Sequence, residues 1–422
     1  MRFLFTTFEG GGHVPPMLVV ARELRRRGHL VRVVSDEANR AAVQAAGLDF
    51  DPWRRAPNRR EAARPDDPLD DWRNRWPARV VRAICDAVIC GPAAAYAADT
   101  LAMLDEFEPD LLVSNELLFG VMAAAEATAM PLALLTANVW CFPTRTDLPP
   151  FGPGFAPARH AWQSRRDHAT RRMIAAMYDA GLDDLNLARR RLGLPPLAAT
   201  LAQLQAARLV VLGTSGAFDF GDGPPPAPFR YAGPLFEADT VATPAEARLV
   251  DPHRPNVLVA FSTAYQGQAP LVRRCIEALA PLSVHGIVTR GPALEATPLP
   301  AAANVEVVAR APHGALLPHC AAVICQGGHG TVLRALLHGV PVLCIPTGRD
   351  NFDNARRLVQ RDAGLRLRRG CSVRAIRRAL DRLLHEPRWR TGAATLGAAV
   401  RSEADHGRRA ADLLERAVVG AP

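Results

Sequence analysis

Two short stretches of the chain carry the residue types that chemistry needs. The first is Gly10-Gly11-Gly12-His13, directly after an apolar run. Pro15 stands where a dinucleotide-binding turn needs its third glycine, so the GxGxxG pattern is not met. The turn instead offers one imidazole at the mouth of a helix. The positive end of that helix disfavours the imidazolium, which leaves His13 neutral near pH 7 and able to accept a proton. A histidine that only caps the helix fits the same position.

The second stretch runs from Gln326 to Asn354 and reads QGGHGTVLRALLHGVPVLCIPTGRDNFDN. An apolar strand ending at Cys325 enters two glycines, then His329, Gly330, Thr331 and a helix. Backbone amides at a helix start behind glycines form an anion site suited to phosphate oxygens. One strand later come Asp350, Asn351 and Asn354, a carboxylate and amides that suit sugar hydroxyls. A plain strand–turn–helix unit capped by Asp350 is the structural alternative. Phosphate and polyol chemistry in adjacent loops is more specific than either alone.

Positioning these residues requires strand–helix alternation, and the sequence shows it. Strands are expected at Arg2–Thr7, His29–Ser35, Asp110–Ser114, Pro131–Thr136 and Leu209–Gly213, with helices near Pro15–Arg27 and Phe119–Ala129. Composition shifts between Ala217 and Pro255, where GDGPPPAP breaks the pattern. Alternation resumes with strands at Asn256–Phe261, Val284–Thr289, Val305–Ala309, Ala321–Cys325 and Pro341–Ile345. Helices are expected at Leu271–Ala280, Gly330–His338 and Asn351–Arg361, and the tail Val373–Val419 reads as helical, broken near Pro387 and Gly407. Nearly all-apolar strands in βα alternation imply parallel sheets covered on both faces. The expected division is an acceptor-side domain over 1–236 joined by a final helix over 403–422, a linker over 237–254, and a second domain over 255–402. Sheets of this kind bind ligands beyond the carboxyl ends of their strands, which places the site in the cleft between domains.

Composition sets the outer limits. The chain has 422 residues, enough for two or three domains, and 49% hydrophobic with 22% charged content is that of a globular protein. The net charge is +9, and all 51 basic residues are arginine. These are spread along the chain in short clusters without RNA-binding aromatic motifs or zinc-finger spacing, so nucleic acid is not an expected partner. No run of eighteen uninterrupted apolar residues suggests a membrane span, and the start reads as a strand and not a signal peptide, which implies a cytoplasmic protein. Eight cysteines without CxxC read as reduced, mostly buried thiols.

With these motifs in place, the chain resembles the UDP-glycosyltransferase superfamily (family 1), and among them bacterial enzymes that decorate natural products. GGGHVPPMLVVARELRRRGHLVRVV resembles the family's opening; ARAPHGALLP, QGGHGTVLRALLHGVP and PTGRDNFDNA resemble its nucleotide-sugar signature in order and spacing. The resemblance implies the GT-B fold: two facing Rossmann-like doubly wound parallel-sheet domains with an interdomain cleft. It implies inverting, metal-independent transfer from a UDP- or dTDP-sugar, which is a co-substrate and not a cofactor, to a hydrophobic small molecule. His13 matches the general base, and Asn115 aligns with the acidic residue that orients it. Ser262 and Thr263 match a phosphate loop. Arg310 and Ala311 sit where relatives stack a ring on the nucleobase, and a guanidinium plane can stack as well. His313 flanks the base, Gly328, Gly330 and Thr331 match the diphosphate cradle, and Asp350 with Asn351 match the pair holding sugar hydroxyls.

Three departures accompany the match. Gln326 replaces the usual phosphate-binding histidine, with His329 three residues on as a compensating group. Asn115 replaces a carboxylate; the adjacent Glu116 is expected to point to the opposite side. Arg334 replaces a glutamate at the ribose. The first two leave a nucleotide-sugar-binding pseudoenzyme, auxiliary to a true transferase, as the alternative. Asp49-Phe50-Asp51 is a DxD read as a turn, not a metal site. Asp66, Asp67, Asp70 and Asp71 read as a solvated loop. Trp53, Trp76, Trp140 and Phe142 fall in weakly periodic stretches expected to wall the acceptor pocket. A homodimer is compatible with the sequence.

Overall fold

The computed structural model describes residues 1–61, 76–221, 223–237, 243–261, 265–295 and 297–420. The aspartates at 66, 67, 70 and 71 lie outside them. Two parallel sheets organise the chain. The first contains β1 (Arg2–Thr6), β2 (Leu30–Ser35), β3 (Asp49–Pro52), β4 (Leu111–Ser114), β5 (Leu132–Thr136), β6 (Leu209–Leu212) and β7 (Phe229–Tyr231), in the order β3-β2-β1-β4-β5-β6-β7. The second contains β8 (Asn256–Ala260), β9 (His285–Thr289), β10 (Val305–Val308), β11 (Cys320–Cys325), β12 (Val342–Cys344) and β13 (Gly364–Arg366), in the order β10-β9-β8-β11-β12-β13.

Both orders reverse direction beside the first strand of the sheet, between β1 and β4 and between β8 and β11. In doubly wound sheets that reversal opens a crevice at the strand carboxyl ends. The central strands explain why the sheets are covered on both faces: LLVS in β4, LALLT in β5 and NVLVA in β8 are buried at every position. The Asp49–Asp51 stretch is an edge strand and not the expected turn. Its register pairs Val33 with Phe50 and Val34 with Asp51, and Asp51 faces Arg32 at 3.5 Å.

Helix Arg408–Val419 returns to the first domain. Its Ala410, Ala411, Leu414 and Ala417 pack with Val20, Ala21 and Leu24 of the first helix, Val14–Arg26. The preceding helix, Pro387–Glu403, buries Ala393, Leu396 and Val400 in the second domain's core. The stretch Pro77–Phe107 is long and apolar enough by composition to cross a membrane. Its second half, Ala93–Phe107, instead buries Tyr96, Met103, Leu104 and Phe107 in the first domain's core.

Candidate active site

β1 delivers the chain to the glycine turn and then to His13, which stands at the amino end of helix Val14–Arg26. Its side chain makes no capping hydrogen bond. Gly10 is required here by contact, since a Cβ at that position would lie 2.7 Å from His13 Cδ2. The imidazole turns across the sheet reversal instead, where its Nδ1 lies 3.1 Å from Asn115 Nδ2, just past β4. Asn115 is fully buried and held at both ends. Its backbone amide donates to the Thr6 carbonyl at 2.9 Å, and its Oδ1 accepts from the Leu117 amide at 2.9 Å. Burial, reinforced by the nearby positive charge of Arg349, pushes His13 down to about 4, so the ring is neutral at pH 7.

Across the cleft, β11 ends at Cys325 and enters the second glycine turn. Gly327 has φ of +95°, a left-handed conformation open to glycine, and a Cβ there would sit 3.0 Å from the Asn351 carbonyl. Helix His329–Leu337 starts just beyond it, with Gly328 at its cap. Its first amide, from His329, donates to Asp350 Oδ2 at 3.3 Å, and a Cβ on Gly330 would meet nothing within 4 Å. Asp350 is braced further: its Oδ2 accepts from Asn354 Nδ2 at 2.7 Å and its Oδ1 from Asn351 Nδ2 at 3.0 Å. Burial raises the Asp350 pKa above the ordinary carboxylate value despite these hydrogen bonds.

His313 and Arg334, both expected at the nucleoside end, fall near one another. Arg310 is exposed and Ala311 half-buried. His313 Nε2 lies 3.4 Å from Thr289 Oγ1, and burial, with the Arg334 charge, lowers its pKa to about 4. Arg334 stacks over the Phe236 ring at 4.3 Å. Ser262 and Thr263 lie outside the described residues.

Buried polar atoms without a partner gather at these strand ends. They include Thr6 and Thr7 Oγ1 at the end of β1, Glu116 Oε2 after β4, Asn138 Oδ1 after β5, Gln326 Oε1 after β11, and Asn354 Oδ1. Each buried group of this kind costs about 1–3 kcal/mol unless a partner meets it.

Comparison with known proteins agrees with this arrangement. The family described as erythromycin biosynthesis protein CIII-like, C-terminal domain, matches residues 284–413. The 4'-demethylrebeccamycin synthase of Lentzea aerocolonigenes is 32% identical over 413 residues, covering 94% of both chains. The chain belongs to the family 1 natural-product glycosyltransferases. A second relative, the TDP-daunosamine transferase DnrS of Streptomyces peucetius, is 28% identical and covers 94% of this chain and 93% of its own. The solved structure of the glycosyltransferase of kitacinnamycin superposes with a TM-score of 0.76 at 20% identity, covering 100% of this chain and 99% of that one, which establishes the GT-B fold. The protein is therefore a nucleotide-sugar-dependent glycosyltransferase acting on small-molecule acceptors.

Several side chains of this glycosyltransferase are placed differently from the sequence expectation. His329 is 6% exposed; its Nε2 lies 2.8 Å from Thr214 Oγ1 and its ring packs edge-on against Phe218. The ring is thus committed to the domain interface and not to a phosphate, while the helix start it belongs to remains at the turn. Trp53 is 1% exposed, with Nε1 donating to the Thr7 carbonyl and its ring against Tyr96. Trp140 and Phe142 pack together in the first domain's core, and Trp76 is 70% exposed beside helix Pro77–Ile84. Trp140 and Phe142 line a small pocket with Phe151, Asp353 and Arg357, and none of the four lines a larger open cavity of about 430 Å³. That cavity is bounded by Phe8, Tyr96, Val88, Arg59, Glu9 and Asp36, among others, and Phe8 stacks 5.3 Å from the His13 ring.

Two more residues of the glycosyltransferase bear on this arrangement, and sequence reasoning missed the second. Glu116 follows Asn115 directly, and its Oε1 accepts from the Cys141 thiol, which itself feels the charge of Asp350. Burial pushes its pKa up to about 7. Arg349 has φ of +54°, uncommon for a residue with a side chain, and its charge reaches both His13 and Asp350. The triplet GRD before a helix was the available signal for it.

Proposed function

We propose that this glycosyltransferase moves a sugar with inversion from a dTDP- or UDP-sugar to a small, largely apolar acceptor held above the first sheet. The observation that carries the reading is the opposition of two strand-end sites. His13 and Asn115 stand on one, and the glycine turn with Asp350 on the other, and Arg349 is electrostatically coupled to both sides. In the reaction the acceptor atom gives up its proton to solvent and attacks the anomeric carbon from the His13 side. The bond from that carbon to the diphosphate breaks, and its electron pair leaves with the diphosphate.

The diphosphate would lie over Gly328, Gly330 and Thr331, where the helix amides and macrodipole stabilise developing negative charge without a metal or resident cofactor. Gln326 and Asn354, each with an unpartnered amide oxygen, are suited to accept hydrogen bonds from sugar hydroxyls, and the Gln326 amide nitrogen is suited to donate to a diphosphate oxygen. Asp350 and Asn351 would hold sugar hydroxyls. Arg334 at the ribose end removes the carboxylate expected to select a ribose diol, and a relative named for a TDP-sugar supports dTDP as the first donor to test. The cavity's Phe8, Val88 and Tyr96 supply apolar walls for the acceptor, with Arg59, Glu9 and Asp36 at polar positions.

The test is direct. Melting temperature is measured with dTDP and UDP, then product is sought by mass spectrometry with dTDP- and UDP-sugars over aromatic and polyketide acceptors. Anomeric configuration is then assigned by NMR. Nucleotide stabilisation with an inverted product is the expected result; nucleotide binding with no transfer across the panel would refute the reading.

A further inference from the structure

The hydrogen bonds around Asn115 fix more than the position of His13. An amide side chain has an oxygen that only accepts and a nitrogen that only donates. The Leu117 backbone N–H can only donate, so the atom it meets at 2.9 Å is the Asn115 oxygen. The amide nitrogen therefore faces His13 Nδ1 at 3.1 Å and donates to it. Nδ1 must keep its lone pair, and in the neutral ring the proton resides on Nε2. A carboxylate at position 115 would do the reverse, accepting a hydrogen bond from Nδ1–H and leaving Nε2 free to accept a proton. The imidazolium is disfavoured as well, because it would set an Nδ1–H against the Asn115 N–H.

We propose that His13 presents Nε2–H to the acceptor as a hydrogen-bond donor, and that the enzyme uses acceptors whose nucleophilic atom is itself acidic. Phenols, enolised 1,3-dicarbonyls and imide-type N–H groups fit that class; unactivated aliphatic alcohols do not. This rests on the reading of the cleft as the transfer site. The acceptor gives its proton to solvent and binds as an anion; the anion attacks the anomeric carbon, and the diphosphate leaves with the electron pair of the broken bond. His13 keeps its proton throughout.

The surroundings favour an anion at that point. The helix Val14–Arg26 directs its positive end there, and Arg349 brings a full positive charge close enough to depress His13 further. Most carboxylates from the packed elements are already occupied. Glu9 Oε1, after β1, accepts from the Gly11 amide at 2.8 Å, and Asp350, after β12, is bonded to Asn351, Asn354 and His329. Glu116, after β4, is the one carboxyl at the reversal, among the described residues, with a buried unpartnered oxygen, and so it is the competing proton acceptor.

Acceptor acidity separates the two. The wild-type enzyme is assayed with 7-hydroxycoumarins whose ring substituents grade the phenol pKa, and kcat/KM is followed against pH at saturating dTDP- or UDP-sugar. The expected inflection moves with each acceptor's own pKa, near 10 for an unactivated phenol. An inflection near pH 7 common to every acceptor would assign the proton to an enzyme group and overturn the proposal. Asn115→Asp is the second arm. It should raise transfer to cyclohexanol at least tenfold and give a pH profile that no longer tracks the acceptor; wild-type transfer to cyclohexanol at phenol-like rates would equally overturn it. Nucleotide binding without transfer to any acceptor would instead refute the underlying reading of the site.

Discussion

The domains are braced against one another by a buried ion pair whose removal has a calculable consequence. Asp219, in the loop after β6, is fully buried; its Oδ1 accepts from Arg357 at 2.6 and 3.1 Å, across the cleft. Its Oδ2 accepts from the Tyr231 hydroxyl at 2.8 Å, and Arg145 stands 3.7 Å away. Burial alone would raise the Asp219 pKa, but the Arg357 charge and these hydrogen bonds hold it below the usual carboxylate value. Arg357→Met keeps most of the side-chain volume and leaves the carboxylate in place. Removing one partner of a buried pair costs roughly 3–5 kcal/mol. Arg145 and Tyr231 still face Asp219, so the low end, about 3 kcal/mol, is expected. For domains of 150–250 residues that is a fall in melting temperature of about 6–12 °C.

The decisive measurement is a double-mutant cycle of Arg357→Met and Asp219→Asn by urea denaturation at pH 7. The double variant should be less destabilised than the sum of the singles by about 1.5 kcal/mol or more. Additivity within about 0.5 kcal/mol would show that the pair contributes only shape, and the argument would fail. Because Arg357 shares its helix, Asn351–Gln360, with Asn351 and Asn354, which are proposed to face the donor, the single variant should also raise donor KM more than acceptor KM.

Other outcomes rest on the same geometry. His13→Ala should lower kcat by roughly 10- to 10²-fold, the loss of one hydrogen bond to a charged acceptor atom, while dTDP or UDP still raises the melting temperature, since His13 is proposed to meet the acceptor and not the nucleotide. Gly327→Ala, forced into a left-handed conformation, should cost about 1–2 kcal/mol and weaken nucleotide binding, read by calorimetry. Val88→Trp, filling the cavity beside Phe8 and Tyr96, should abolish transfer to bulky acceptors and leave nucleotide binding unchanged. His329 is held by burial at about 3, below the unfolded value of 6.5, so the native state binds fewer protons than the unfolded one. Its contribution to stability is full above pH 6.5 and falls as pH drops toward 3; the loss measured by melting between pH 6.5 and 4 should be smaller in His329→Gln.

The site's skeleton is legible in the sequence because short, wholly apolar strands announce where they end. His13, Asn115, Gln326 and Asp350 each come soon after such a strand, and a doubly wound sheet allows strand ends only one meeting place. The direction of a side chain beyond a strand end is less determined, because rotation about one or two residues decides where it goes. The helix start turns His329 toward a phosphate, yet its ring serves Thr214. The aromatic residues depart from expectation for a different reason. Its weakly periodic stretch places Trp53 at a pocket wall, but apolar bulk predicts burial without saying in which space. Edge strands give the weakest signal. Asp49–Pro52 reads as a turn and β7 lies behind a proline run, since a strand paired on one side needs no continuous apolar pattern.

The brace between domains leaves the least trace. The segment after β6 reads as the start of a linker, yet Thr214 bonds His329, the Gly216 and Ala217 amides donate to Glu403 at 2.8 and 3.0 Å, and Asp219 holds Arg357. Every one of these partners is more than 100 residues away in the chain, so no local pattern could register it. These contacts converge on the helices that begin at His329 and Asn351 and on the chain's return to the first domain at Glu403. The separation between His13 and the glycine turn is therefore held by this loop, together with first-domain contacts from the Gly152 amide to Asp353 at 2.9 Å and from Arg356 to the Gly154 carbonyl at 3.0 Å. A substitution in that loop, distant from any reacting atom, would change the gap that the sugar must cross.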